Sequence, residues 1–326
     1  MTCSHPVVHH HGVRRRRCSS CGKSWTLWKH RRGRKPRPRR LRLLARTFQQ
    51  GLTVTQQALG RGRKRTTTTA RHDQLLRALE EQPWSPAIPS GRLILIIDGL
   101  WFWFESKRWT LYVMAVRSIH NDHAVFLRPI LKPGRESQEL WQEVIGAIPH
   151  SVRNRISALI SDSLRGMEAI SRQEVWVFQR CHFHLFSRLY VYLGRNKKRL
   201  RWRLGRERSY QAVRQLVATI DQHQTGLLIR SINRYARHPL CPRVYRSLLQ
   251  ETLRRMDEYR TYLQYPDLNL PTTTNVIESL NSRIRAVCSR SRGFRTPQAL
   301  QRWVTSYIRF NPTSKCRAKK PTELFG

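Results

Sequence analysis

Three observations predict an α/β fold for this chain of 326 residues. Aliphatic runs typical of strands buried on both faces, such as Arg92–Ile97, lie in the middle of the chain. Segments with helical periodicity, such as Glu136–Ile148, lie between them. From about Leu185 to Tyr265 the helical pattern continues without strands, over a stretch too long for an ordinary loop.

The composition points to a nucleic-acid partner. The chain has 62 Lys and Arg residues against 20 Asp and Glu residues, a formal net charge of +42. Nucleic acid is the abundant polyanion that neutralises such a field. A hydrophobic content of 39% excludes a disordered basic tail. The sequence shows neither the ~20-residue apolar run of a membrane span nor an apolar signal segment, and its seven cysteines are irregularly spaced. We therefore expect a soluble protein of a reducing compartment.

Residues 1–28 are predicted to form a small zinc ribbon. Two thiolates separated by two residues, Cys18 and Cys21, can both face one tetrahedral Zn²⁺, and Gly22 permits the tight turn that follows. The ligand set that fits best is Cys3, His5, Cys18 and Cys21, with His9, His10 or His11 as alternatives to His5. The alternative is an ordinary pair of cysteines in a basic tail.

Residues 29–89 are predicted to be a basic linker followed by a helix-turn-helix-like DNA-binding region. Lys29–Arg40 carries too much charge and proline to fold. Helical periodicity begins at Leu41 and returns at Gln56–Leu59 and Ala70–Glu81. A plain helical hairpin that joins two domains is the alternative. Three prolines between residues 83 and 89 then mark a boundary.

Residues 90–184 follow the element order of a ribonuclease-H-like core. Three strands come first, at Arg92–Ile97, Trp109–Arg117 and His123–Leu131. A helix, the strand Ile156–Ile160, a helical turn and the strand Glu174–Phe178 complete this part. We predict an all-helical insertion at residues 185–270, a core helix within residues 271–312, and a loose tail at residues 313–326.

Isolated acids in this basic chain predict a metal-dependent site. Asp98 and Asp162 each follow an aliphatic strand, and neighbouring strand ends bring like charges together unless a divalent cation lies between them. Asn275, Glu278 and Asn281 form one polar edge of a helix. Such a set can hold two Mg²⁺ or Mn²⁺ ions about 4 Å apart, for phosphodiester hydrolysis followed by transesterification.

Each of these acids also has a structural explanation. Asp98 precedes a glycine and fits a turn, Asp162 fits a helix cap, and Glu278 fits a solvated helix acid. The other acids are interpreted as caps or helix-surface charges, namely Asp122, Glu136, Glu139, Glu143 and Glu174.

The order of motifs resembles a known enzyme family. IIDG, LISDS, the Cys181-His-Phe-His184 box and TTTNVIESLNSRIR resemble the DDE transposases of bacterial insertion sequences, closest to the mutator-type group, over roughly Arg92–Phe310. The resemblance implies that Asp98, Asp162 and Glu278 form the metal-binding catalytic triad. It also implies a site-supporting role for Cys181 and His184, which spacing alone would place in the core and at a helix start. Asn275 and Asn281 are assigned the same supporting role. Many mutator-type relatives lack a zinc ribbon, so the N-terminus departs from that pattern.

Basic residues near the site are the candidate DNA contacts. Those in the insertion are Lys197, Lys198, Arg201, Trp202 and Arg203. Trp202 fits base stacking, although a core position is the alternative. Arg283 and Arg285 extend the basic surface beside Glu278.

The function expected from these patterns is a cytoplasmic, nucleoid-associated bacterial transposase. It would bind the terminal repeats of its element and the target DNA, and assemble as a homo-oligomer on paired ends. A metal-dependent nuclease of the same fold and a catalytically silent DNA-binding regulator are the alternatives.

Overall fold

The computed structural model confirms an α/β protein built around a mixed sheet. It describes residues 8–10, 15–26, 38–60, 62, 64–162, 164–194, 202–290 and 293–316. The chain divides into two compact units, Met1–Leu75 and Leu76–Gly326.

The first unit begins with three short antiparallel strands. They are β1 (Val8–His10), β2 (Arg15–Cys18) and β3 (Ser24–Thr26), in the order β1-β2-β3. The turn after β2 is closed by two backbone hydrogen bonds, from Gly22 N to Cys18 O at 2.9 Å and from Cys18 N to Lys23 O at 2.8 Å. Gly22 has a φ of +68°, which explains why glycine follows Cys21.

The three helices predicted after the basic linker are present, with earlier starts. They are α1 (Pro38–Phe48), α2 (Val54–Leu59) and α3 (Arg65–Glu80), where the sequence indicated starts at Leu41, Gln56 and Ala70. The start of α2 follows from a capping box, because Thr53 and Gln56 satisfy each other's backbone N–H groups. The linker residues 29–37 lie outside the described residues.

In the second unit, seven described strands form one mixed sheet in the order β10-β6-β5-β4-β8-β9, with β7 paired to β5. The strands are β4 (Leu93–Phe104), β5 (Lys107–Ser118), β6 (His123–Phe126), β7 (Ile130–Pro133), β8 (Ile156–Ser161), β9 (Val177–Arg180) and β10 (Thr313–Lys315). β8 is parallel to β4 and β9, while β5, β6, β7 and β10 are antiparallel to their partners.

The prediction that the first core strand ends at Asp98 is wrong. β4 continues to Phe104 because β5 pairs with its whole length, from Leu93↔Ser118 to Phe104↔Lys107. The parallel neighbour β8 pairs with β4 only as far as Ile96↔Ile160. Asp98 therefore lies just beyond the parallel pairing, although it is in the middle of its own strand.

Two further differences concern the strands near the other edge. The predicted strand His123–Leu131 is divided into β6 and β7. Thr313–Lys315, predicted as part of a loose tail, forms β10 on the edge of β6, while residues 317–326 lie outside the described part. The buried Arg117 stabilises this pairing, because its guanidinium donates at 3.1 Å to the carbonyl of Cys316, the residue that follows β10.

Helices cover both faces of the sheet and extend into the predicted insertion. They are α4 (Gln138–Gly146), α5 (His150–Arg153), α6 (Met167–Gln173), α7 (His182–Val191), α8 (Arg203–Ala218), α9 (Gln222–Arg237), α10 (Arg243–Arg254), α11 (Met256–Gln264), α12 (Asn275–Arg290) and α13 (Pro297–Phe310). A 3₁₀ turn follows α11 at Pro266–Leu268. One apolar core lies between the sheet and α4 to α6, and a second joins α7 to α11.

Buried polar groups attach the insertion helix α11 to strand β9. The Gln179 side chain accepts from Tyr262 N at 2.9 Å and donates to Tyr259 O at 3.1 Å. His182 Nε2 lies 2.6 Å from the same Tyr259 carbonyl. Burial lowers the pKa of His182 to about 4, so the ring is neutral and Nε2 carries the proton that it donates.

We expect His182 to make the fold sensitive to acid. Its pKa is lower in the folded protein than in the unfolded chain, so the stability it supports is full above about pH 6.5 and decreases towards pH 4. The loss at about pH 5 is roughly 2 kcal/mol. His182→Gln keeps a donor for the Tyr259 carbonyl without titrating, so its melting temperature should fall less between about pH 7.5 and pH 5. Equal falls in both proteins would contradict the assignment.

Within the described residues, no helix combines the length and the apolar character that crossing a membrane requires.

Candidate active site

Two predicted acids and one predicted supporting residue meet where β4 and β8 diverge. Ligand atoms of Asp98, Asp162 and His184 all lie within 4.8 Å of one another. Asp98 projects from β4, Asp162 directly follows β8, and His184 lies in the first turn of α7. Among the described residues, these three are the group of His, Cys, Asp or Glu side chains close enough to hold one metal ion.

Asp98 is a desolvated carboxyl group held in place by two donors. It is 7% exposed, and it accepts from Gly99 N at 3.0 Å and from Asn281 Nδ2 at 2.8 Å. Burial raises its pKa well above the usual value, and the charges of Glu278 and Asp162 raise it further, while His184 lowers it. A cation at this position would therefore stabilise the ionised form of Asp98.

Glu278 joins the site through His184. In the first turn of α12, its Oε1 lies 3.1 Å from His184 Nε2. Burial lowers the pKa of His184, but its contacts with Cys181 and Glu278 and the charge of Asp98 raise it to about 11 overall. The pKa of Glu278 is lowered. Burial raises it, but the hydrogen bond to His184 and the charge of that ring have the larger combined effect. A protonated His184 thus supplies positive charge among the carboxylates.

Cys181 connects the sheet to the helix that carries Glu278. Its N–H donates to Ser161 O at the end of β8, at 2.8 Å. Its sulfur accepts from Thr274 N at 3.3 Å, immediately before α12. His184 then contacts Glu278 one turn further along that helix. The Cys181-x2-His184 box therefore fixes α12 against the two strands that carry the aspartates.

Sequence reasoning missed Glu136, a fourth carboxyl group beside the site. Burial raises its pKa to about 7, with a further contribution from the charge of Asp162. Its Oε1 accepts from Trp141 Nε1 at 2.7 Å. A Cβ at Gly99 would lie 2.6 Å from the Glu136 Cδ. The glycine directly after Asp98 was the sequence signal for this close approach.

Replacing that glycine should displace the Glu136 carboxyl group. We expect Gly99→Ala to cost about 1–3 kcal/mol of stability, because Glu136 is pinned by Trp141 and has little freedom to move. The indole N–H resonance of Trp141 should shift at the same time. Gly146→Ala is the matched control, since nothing lies within 4 Å of its Cβ position. Equal stability of the two variants would show that Glu136 is not fixed against Gly99.

The residues of the site fit a hard divalent cation. Carboxylate oxygens are the preferred ligands of Mg²⁺ and Mn²⁺. The Oδ1 of Asn281 is buried and has no hydrogen-bond partner within the described part of the chain, so it is a further oxygen donor beside Asp98. Asn275 is half-buried at the start of α12, one turn before Glu278.

The candidate DNA contacts are distributed over two helices. Arg203 is exposed at the start of α8. On α12, Arg285 is exposed and its charge lowers the pKa of Glu278, and Arg283 donates to the Tyr307 hydroxyl at 2.6 Å. Lys197, Lys198 and Arg201 lie outside the described residues.

Trp202 is packed rather than open. Its ring stacks on His238, with centroids 5.1 Å apart and planes 20° apart. A Cβ at Gly205 would lie 2.0 Å from the indole. Stacking on a DNA base would therefore require this packing to open.

Half of the predicted zinc ligands can be located. Cys18 is buried and Cys21 is exposed, at the two ends of the turn that Gly22 follows. Cys3 and His5 lie outside the described residues.

The comparisons with known proteins bear on the family of the chain. No curated protein matches the chain. Residues 129–310 match the family described as "Transposase, Mutator family". This match covers more than half of the 326 residues, including Asp162, the Cys181-x2-His184 box and Glu278. The chain therefore belongs to the mutator family of transposases.

Proposed function

We propose that this protein is a catalytically active DNA transposase that cuts the ends of its element and joins them to target DNA. The observation that carries the proposal is the convergence of Asp98, Asp162 and His184 within 4.8 Å, with Glu278 bound to His184. Family membership supports a role in transposition and DNA binding. Retention of all three acids in a chain of net charge +42 favours catalysis over binding alone.

We also propose a ribonuclease-H-like core. The central order β6-β5-β4-β8-β9 supports it, with three antiparallel strands followed by two parallel ones. Asp98, on the central strand, and Asp162, after its parallel neighbour, then lie at the same end of the sheet. Helix α12, which follows the helical insertion in the chain, brings Glu278 to that end.

In this proposal Asp98, Asp162 and Glu278 hold divalent cations, Mg²⁺ or Mn²⁺. Two such ions supply an activated nucleophile and stabilise the leaving oxygen. A water oxygen attacks the scissile phosphorus, and the P–O3′ bond breaks to leave a 3′-hydroxyl and a 5′-phosphate. The freed 3′-hydroxyl then attacks a phosphorus of the target strand, which joins the two strands as the P–O3′ bond of the target breaks and its 3′-hydroxyl leaves. Asn281 orients Asp98, while His184 and Cys181 position Glu278.

The remaining assignments concern DNA recognition and assembly. We propose that the first unit reads the terminal repeats through α1 to α3 and a zinc ribbon that uses Cys18 and Cys21. Arg203, Arg283 and Arg285 would contact phosphates. Two or more copies, each with its own triad, would assemble on the paired ends in the cytoplasm of a bacterium.

A cleavage and strand-transfer assay tests this function. The substrate is a plasmid that carries the DNA flanking this gene, with Mg²⁺ or Mn²⁺. The wild-type protein should cut at the element ends and produce joined products. Glu278→Gln should lose both activities but still bind the ends.

The control variant is Glu143→Gln, which removes an acid whose side chain is 57% exposed on α4 and should leave both activities intact. Cutting without joining would favour the nuclease alternative. Binding without cutting by the wild-type protein would favour the regulator and contradict the proposal.

A further inference from the structure

Two tryptophans stand exposed on the hairpin that extends beyond the acidic site. Trp101 is 54% exposed and Trp103 is 59% exposed, both in the outer part of β4. Residues two apart on a strand share one face, so the two indoles lie side by side. Single exposed apolar residues are ordinary, whereas two adjacent indoles form a surface with a specific shape.

The opposite face of the hairpin already supplies its packing. Phe104 is 7% exposed, and its ring lies edge-on to Trp109 with centroids 6.4 Å apart. Phe102 stacks on Phe104 at the same centroid distance of 6.4 Å. The aromatic packing of the hairpin therefore lies on the face opposite to Trp101 and Trp103.

The exposed face reaches the active site through Glu136. Directly opposed residues share a face, and the register pairs Gly99 with Tyr112, Trp101 with Thr110 and Trp103 with Arg108. Gly99 is the residue covered by the Glu136 carboxyl group. The tryptophan face thus begins two residues beyond Gly99, on the face of β4 opposite to Asp98. The Glu136 carboxyl group lies close to both, because it packs on Gly99 and its charge raises the pKa of Asp98.

Arg108 adds positive charge to this face. Its guanidinium carbon lies 5.3 Å from the centroid of the Trp101 ring, in cation–π geometry. Its charge also lowers the pKa of Glu136, so the guanidinium acts on both the Trp101 ring and that carboxyl group. Positive charge next to stacking surfaces is the combination that binds single-stranded nucleic acid.

We propose that Trp101, Trp103 and Arg108 form a stacking platform for an unpaired nucleobase of the DNA strand next to the scissile phosphate. This inference rests on the proposed function for the location of that phosphate. If the duplex opens at the cut, a base that leaves the stack loses its neighbours. The indoles replace those neighbours, while Arg108 contacts the adjacent phosphate.

Equilibrium binding without catalysis tests the platform. The probes are two duplexes, one with an unpaired 2-aminopurine next to a nick and one fully paired, measured in Ca²⁺ so that no strand is cut. The wild-type protein should prefer the unpaired probe and change its 2-aminopurine fluorescence. Trp101→Ala/Trp103→Ala should weaken binding of the unpaired probe by about tenfold or more and leave the paired probe unchanged. Trp101→Phe/Trp103→Phe should recover most of the preference.

Tyr265→Ala is the control, because it removes another exposed aromatic ring, 46% exposed, from a different element. An unchanged preference in the double alanine variant would overturn the platform. So would a change of oligomeric state in light scattering with an unchanged preference, since the face would then join two copies. Binding does not depend on cutting, so failure of the platform is distinguishable from failure of the proposed catalytic function.

Discussion

Asp98→Asn should abolish DNA cutting while making the metal-free protein more stable. The cutting rate should fall by about 10³-fold or more, because the lost metal interactions contribute several kcal/mol to the transition state. Stability should rise because burial, with the charges of Glu278 and Asp162, disfavours an ionised Asp98 and outweighs the opposing charge of His184. Asparagine keeps an oxygen that can accept from Asn281 or from Gly99 N.

Melting curves with and without Mn²⁺ measure the second effect. Without metal, the melting temperature of Asp98→Asn should exceed that of the wild-type protein by about 2–4 °C per kcal/mol gained. Mn²⁺ should raise the melting temperature of the wild-type protein and have little effect on the variant. Glu143→Gln should behave as the wild-type protein does in both conditions. A variant that still cuts DNA would contradict the catalytic role of Asp98. A variant that melts lower without metal would show that its carboxyl group stabilises the metal-free fold.

Arg180→Met should be the most destabilising single change in the ion-pair network between β9 and α11. The Arg180 side chain is 1% exposed and pairs with Glu168 at 3.3 Å and with Glu258. Arg255 bridges the same two glutamates, at 3.1 Å and 3.2 Å. Removing the buried cation leaves two partly buried carboxylates with Arg255 as their shared partner, which costs about 3–5 kcal/mol.

An exposed ion pair provides the comparison for that measurement. Arg188 and Glu251 lie 2.9 Å apart with side chains 42% and 36% exposed. Arg188→Met should therefore cost less than about 1 kcal/mol in denaturant unfolding. Adding Glu168→Gln and Glu258→Gln to Arg180→Met should recover part of the stability, because the uncompensated charges disappear. Equal losses for Arg180→Met and Arg188→Met would contradict the importance of the buried network.

The parts of the site that sequence could predict are those with a local signal. Asp98 and Asp162 stand out because each follows an aliphatic run, and the helix of Glu278 stands out by its apolar periodicity. The end of β4 could not be predicted, since it depends on β5 pairing beyond the point where β8 stops. Thr313–Lys315 has no strand pattern of its own and becomes β10 through pairing with β6.

Site residues whose role depends on tertiary packing were harder to recognise from the sequence. Glu136 precedes α4 and reads as a helix-capping or surface acid, whereas its carboxyl group is buried against Gly99 and bonded to Trp141. Its position depends on how α4 packs across the sheet, which short-range patterns do not encode. The Cys181-x2-His184 box was identified through family resemblance, because its partners Thr274 and Glu278 are more than 90 residues away in sequence.

The most direct test of the central claim is anomalous diffraction from crystals of the wild-type protein and of Asp162→Asn, both grown with Mn²⁺. The metal-binding triad predicts manganese peaks between Asp98 and Asp162 in the wild-type crystals, and their loss in the variant. Saturating Mn²⁺ without a peak at these aspartates, or a peak that persists in Asp162→Asn, would contradict the assignment of the triad.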